Sequence, residues 1–200
     1  FLSISFSSTD YVGHKYGVNS VEVQDTYIRL DEDIERLLKE LDRKVGEGAY
    51  TVFLTSDHGA VQVPAYLSDA GIPAGYLQTG EMRKGLEDFM SFNYGTRDLL
   101  KRVSNNQLFL DHGLMRNLEL DPEIVRDRLA EELLKYEGIY MVYTSGQLQK
   151  TEYTEGIAAI LQNGYNQKRS GDLILVPPPA HIEYPRTGTT HGSPYVYDTH

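Results

Sequence analysis

The chain has 200 residues, enough for one domain with a sizeable insertion, and 40% of them are hydrophobic, enough for a real core. Nineteen Lys and Arg against 29 Asp and Glu give a formal charge of −10, which excludes wrapping nucleic acid or adhering to an anionic membrane by charge alone. Cysteine is absent, so disulfides, thiolate nucleophiles and Cys-based zinc fingers are excluded, and any metal must be held by His and carboxylate.

Residues 1–8 alternate large and small side chains with period two, which predicts a buried strand opening at Phe1 without Met, cap or secretion leader before it. A domain that begins in mid-strand reads as a piece of something longer, with a leader expected upstream. A polar, Gly-punctuated loop follows from Ser8 to Gly17. Tyr27, Leu30, Ile34, Leu37, Leu38, Leu41 and Val45 then recur at steps of three and four, predicting an amphipathic helix that packs on a sheet. Asn19 and Ser20 are its candidate caps, and Gly46 and Gly48 stop it. Residues 50–54 are apolar on both faces and predict a second strand ending at Thr55, Ser56, Asp57, His58 and Gly59. Strand, helix and strand make a βαβ unit with parallel strands and a right-handed crossover, whose loops at one sheet edge form the usual ligand site.

Residues 62–170 are richer in Gly, Tyr and Gln and more weakly patterned. They predict a loop over 68–75, helices over 81–94 and 96–103, and a hairpin over 107–118. Asp121 and Pro122 then open a helix, a strand follows over 139–143, and a helix over 155–162. Together these form a small α+β insertion. Residues 172–176 return as a strand of the main sheet, and Tyr195, Val196 and Tyr197 suggest one more. The expected fold class is α/β, a parallel or mixed sheet flanked by helices, with 1–61 and 171–200 as the core and 62–170 as the inserted subdomain. No apolar run approaches the roughly 20 residues that span a bilayer.

Three of the six histidines, His14, His58 and His191, stand beside or near Gly in loops rich in Thr, Ser and Asp. Asp10 and His14 can converge from one loop, and His191 can complete a three-ligand zinc site with an open fourth position, the arrangement of a catalytic ion. Asp57 and His58 are neighbours that can converge on a second ion, and two ions about 4 Å apart can clamp both oxygens of a phosphoryl displacement. Asp111, His112 and Gly113 repeat the Asp-His-Gly string, but inside the insertion, where an ordinary hairpin turn is expected. His181 and His200 are assigned no metal role.

In order and placement, Thr9-Asp10-Tyr11-Val12-Gly13-His14, Ser56-Asp57-His58-Gly59 and Thr190-His191-Gly192-Ser193 with Tyr197-Asp198 resemble the alkaline phosphatase superfamily. The likeness is to its type I phosphodiesterase/nucleotide pyrophosphatase branch and the phosphate-irrepressible bacterial alkaline phosphatases. The resemblance implies an alkaline-phosphatase-like fold. Asp10, His14 and His191 would hold one zinc, and Asp57 and His58 would belong to a second, two zinc ions making one complete site. The Ser or Thr nucleophile, the Asp from an early strand and the phosphate-binding Asn, Lys or Arg of that family have no counterpart here and are expected upstream of Phe1. The resemblance further implies a small-molecule phosphate ester as substrate and a periplasmic or secreted location. Three readings stand: part of a two-zinc phosphomonoesterase inactive alone, a phosphodiesterase or pyrophosphatase of the same superfamily, and a non-catalytic binding module using some of the 15 tyrosines.

Overall fold

In a computed structural model that describes residues 1–198, the chain runs in order through α1 (Ser8–Tyr16), α2 (Val21–Val45), α3 (Pro64–Asp69), β1 (Gly75–Tyr76) and α4 (Thr79–Tyr94). It continues through β2 (Leu100–Ser104), β3 (Gln107–Leu110), α5 (His112–Asn117), α6 (Pro122–Leu133), β4 (Met141–Thr144) and α7 (Ser145–Lys150). It ends with α8 (Gly156–Gly164), β5 (Leu173–Val176) and β6 (His181–Ile182). Local chemistry sets many of the boundaries. Ser20 accepts from the Val23 N–H at 3.2 Å to cap α2, Asp121 caps α6 with Pro122 in its first turn, and Thr144 and Gln147 close a capping box on α7.

Four strands form an antiparallel sheet in the order β2-β3-β5-β4. Asn105 and Asn106, both at positive φ (51° and 57°), turn β2 into β3, the backbone that a two-residue hairpin needs. Met82, Leu86 and Met90 of α4 and Val125, Leu129 and Leu133 of α6, spaced by four, bury one stripe each against Leu108, Leu110, Leu173 and Leu175. Each fully buried Leu or Val contributes roughly 1.5–3 kcal/mol, so this cluster is the main core. A second cluster, Val61, Ala180 and Ile182 with Leu67 and Tyr184 packed on it, lies around the parallel pair β1-β6. It adjoins the histidine-bearing loops.

The sheets are mixed and flanked by helices, as an α/β class requires, but they are assembled differently from the expectation. Neither residues 1–8 nor 50–54 join a ladder among the described residues. Leu2, Val52, Phe53 and Leu54 are instead exposed. Apolar periodicity marks a segment as fit for a strand, whereas a strand exists only through the neighbour that takes its hydrogen bonds. Helix α2 is present, with Leu30, Ile34, Leu37, Leu38 and Leu41 half-buried and Tyr27 and Val45 exposed, so it packs against α1 rather than on a strand ladder.

Further differences fall in the middle of the chain. The helix expected over 96–103 is strand β2, because Gly95 ends α4 in a left-handed cap and the Asn105–Asn106 turn folds residues 100–104 back onto β3. The hairpin expected over 107–118 is strand β3 followed by helix α5, so Asp111 is a helix cap and not a turn. The 172–176 strand pairs with β3 and β4 and so belongs to the sheet of the 62–170 segment. No strand forms at 195–197. His200 lies outside the described residues.

Candidate metal centre

Asp10 and His14 lie on a helix, where a loop was expected. One turn apart on α1, they bring Asp10 Oδ1 to 3.3 Å from His14 Nε2, the i, i+4 geometry of a helical face. His14 Nδ1 donates to the Thr189 carbonyl at 2.7 Å, and the Thr189 N–H returns a bond to the His14 carbonyl at 3.0 Å. That assigned tautomer leaves the Nε2 lone pair free to face Asp10. Thr189 is fully buried, and its hydroxyl donates to the Val61 carbonyl at 2.5 Å. It thereby ties α1, the segment after His58 and the approach to His191 into one corner.

His191 Nε2 lies 3.8 Å and His58 Nε2 3.9 Å from the same Asp10 oxygen. The His58 and His191 rings stack with centroids 3.5 Å apart, and His14 stands 5.2 Å from His191. His58 Nδ1 is 2.8 Å from the Gly59 carbonyl, so its Nε2 too is the free nitrogen. Asp57, whose side chain is 90% exposed, turns Oδ2 to 3.8 Å from His58 Nε2 while Oδ1 accepts the His58 N–H. The Asp10 carboxylate is thus the hub of His14, His58 and His191, and Asp57 joins them only through His58. Burial, reinforced by the facing His58, holds the His191 pKa below the ordinary histidine value. It favours the neutral imidazole, which is the metal-binding form.

One ligand atom each from Asp10, His14 and His191 lie within 4.8 Å of one another. Two donors on one tetrahedral zinc at bond lengths near 2 Å stand about 3.3 Å apart. The Asp10–His14 pair already has that spacing, and the Asp10–His191 pair must close from 3.8 Å by about half an ångström, so the donor set fits a divalent ion. The other two histidines among the described residues are held elsewhere. His112 Nε2 meets Asp172 Oδ1 at 2.8 Å, where Asp172 also accepts the Leu110 N–H, and His181 is turned to the Pro179 carbonyl. An open cleft of about 580 Å³ lined by Tyr11, Lys15, Tyr184 and Thr187 flanks His14, with the Tyr184 ring stacked on the imidazole at 5.6 Å.

The family model for type I phosphodiesterase / nucleotide pyrophosphatase matches residues 1–194. The chain belongs to this family. Among curated members and relatives it is 35% identical over 201 residues to alkaline phosphatase PafA of Elizabethkingia meningoseptica. It is 36% identical to a protein of Myroides odoratus named calcium-transporting ATPase and 33% identical to alkaline phosphatase PhoV of Synechococcus elongatus. Each match takes in the whole chain but only 36–37% of the relative, so the chain spans a little over a third of their length. The crystal structure of wild-type PafA superposes with a TM-score of 0.88 at 35% identity, over 96% of this chain and 37% of that one. The α/β fold of this type I phosphodiesterase / nucleotide pyrophosphatase family member is thus shared with a phosphatase of known structure.

Two contributors to the centre escaped the sequence. Thr189 acts through a carbonyl and a hydroxyl whose partners lie 175 and 128 residues away. Asp198 is 2% exposed beneath the His191 loop. Thr189 is signalled in the string only by its closeness to His191, and Asp198 only as part of the Tyr197-Asp198 pair in the resemblance, which does not say what they touch.

Proposed function

We propose that this chain carries the zinc-ligating part of a phosphatase that hydrolyses small phosphate monoesters. The observation that supports it most is the convergence of Asp10 Oδ1, His14 Nε2 and His191 Nε2 from opposite ends of the sequence. The two His14 nitrogens are already divided between a backbone acceptor and the cluster. Asp10, His14 and His191 would hold one zinc, and Asp57 with His58 would contribute to a second. Bound zinc supplies a Lewis acid that lowers the pKa of an attacking oxygen and neutralises charge on a leaving one. In this reading the Ser or Thr that attacks phosphorus comes from outside these 200 residues, and the protein works in the periplasm or is secreted.

The work left to this chain is geometric. Thr189 fixes the His14 tautomer, α1 sets the separation of Asp10 from His14, and the stacked His58 and His191 rings place their Nε2 atoms on one side of the Asp10 carboxylate. A diesterase or pyrophosphatase reading uses the same residues and is favoured by the family description. The names of the relatives called alkaline phosphatases support the monoester reading.

The metal content of the purified chain tests the ligand set. Zinc at up to about one per chain is expected, lost in His14→Ala and in His191→Ala and kept in His112→Ala. Equal metal in all three variants would overturn the assignment. Comparing phenyl phosphate with bis-(p-nitrophenyl) phosphate in the longer protein then separates monoester from diester activity.

A further inference from the structure

The loop that carries His191 is held by a group outside the ligand set. Asp198 is buried, and its two oxygens divide the polar groups of Ser193 between them. The Ser193 hydroxyl donates to Oδ1 at 2.7 Å, and the Ser193 N–H donates to Oδ2 at 3.1 Å. The same hydroxyl accepts from the Tyr195 N–H at 3.3 Å. Between His191 and Ser193 stands Gly192, at φ +98° with nothing within 4 Å of where a Cβ would be. The peptide link to His191 has no side chain of its own to fix it. Before His191 the loop is tied to Val61 and His14 through Thr189 and Thr190; after it, the loop is held by Ser193, which Asp198 fixes.

The stretch around Asp198 also reaches the second stacked imidazole. A Cβ on Gly59, the residue after His58, would lie 2.5 Å from the Tyr197 carbonyl oxygen and 3.4 Å from Asp198 Cα. Gly59 is therefore pressed onto this backbone. On the far side the stretch is anchored to the turn after β5. The Tyr195 hydroxyl donates to the Pro177 carbonyl at 2.8 Å, and the Ala180 N–H donates to the Tyr197 hydroxyl at 2.8 Å. Residues 193–198 thus form a wedge, pinned at its back, between the loops that present His58 and His191.

We propose that Asp198 is a positioning residue for the metal centre: through Ser193 it fixes the loop that presents His191, and through its neighbour Tyr197 it sets how closely His58 approaches. The inference rests on the reading of Asp10, His14 and His191 as zinc ligands. Groups that orient a ligand without touching the ion typically govern 10–100-fold in metal affinity, and losses of that size are expected here. Asn at 198 keeps the geometry, since Oδ1 can accept the Ser193 N–H while Nδ2 donates to the Ser193 hydroxyl.

Zinc affinity by chelator competition, beside the melting temperature of the metal-free chain, tests this with Asp198→Ala, Asp198→Asn, Ser193→Ala and His191→Ala. Asp198→Ala and Ser193→Ala should each weaken zinc by about 10–100-fold. Their double variant should be little worse than Asp198→Ala alone, because Ser193→Ala removes one of the two hydrogen bonds that Asp198→Ala removes. Asp198→Asn should restore most of the affinity. If Asp198→Ala lowers the melting temperature too far to be read, Ser193→Ala, which deletes a single oxygen, decides the matter alone. Unchanged affinity in Ser193→Ala and Asp198→Ala, with zinc lost in His191→Ala, would overturn the positioning role and leave the ligand set standing. An Asn variant as weak as the Ala variant at an unchanged melting temperature would overturn it too. Zinc retained in His191→Ala would remove the ligand set and this inference together.

Discussion

At the residue scale, the centre is built by giving two of its imidazoles, His14 and His58, one occupied and one free nitrogen. His14 spends Nδ1 on Thr189 and His58 turns Nδ1 to Gly59, so both rings keep Nε2 for the Asp10 side. The close approach at Gly59 gives a sharp test. Gly59→Ala would force a methyl against the Tyr197 carbonyl and push the wedge and His58 apart. We expect zinc affinity to fall with the lost geometry, while Gly80→Ala, at a glycine of helix α4 with open space around it, leaves the metal untouched. Chelator competition on the two variants checks this. The ligand types are legible in the string, because Asp and His beside Gly are chemically distinctive. Thr189 and Asp198 are not, because a hydroxyl or carboxylate takes its meaning from the atoms it meets, and those atoms are brought up by chain folding.

At the scale of elements, two helix starts carry the contrast between sequence and structure. Asp10 and His14 are brought together by one turn of α1, which is a stiffer device than the loop their Gly-rich surroundings suggest. Asp111, in a string that predicts a turn, caps α5, its carboxylate accepting from the Leu114 N–H at 2.9 Å. That hydrogen bond holds its pKa below the ordinary carboxylate value. The cap's contribution to stability is therefore present above that ordinary value and is lost as pH falls through the lower native one. Asp111→Asn keeps an acceptor and has no proton to take up. Urea midpoints followed from about pH 6 down to about pH 3 should fall more steeply for the native chain than for the Asn variant. The strands expected over 139–143 and 172–176 form as β4 and β5, but strand pairing is not legible. β3 and β5 are short apolar runs whose partners are set by the Asn105–Asn106 turn and by pairing between positions as distant as Gln107 and Ile174, which periodicity does not encode.

For the molecule as a whole, the sheet core and the histidine corner use separate clusters of apolar side chains. Leu129→Ala in the first should cost about 2–5 kcal/mol in urea unfolding and leave zinc stoichiometry as it was. The corner has a different source of stability open to it. His14 and Thr189 are 175 residues apart along the chain, and the chain has no cysteine with which to fasten them. In the proposed ligand set, an ion shared by Asp10, His14 and His191 would be a reversible cross-link that closes nearly all of these 200 residues into one ring. A closure of that length removes far more freedom from the unfolded chain than from the folded one. The melting temperature should then climb with free zinc concentration, as mass action on the folded state requires, and His14→Ala should flatten that climb. If Asp10, His14 and His191 bind zinc as proposed, metal binding and the closure of this stretch of chain become the same event.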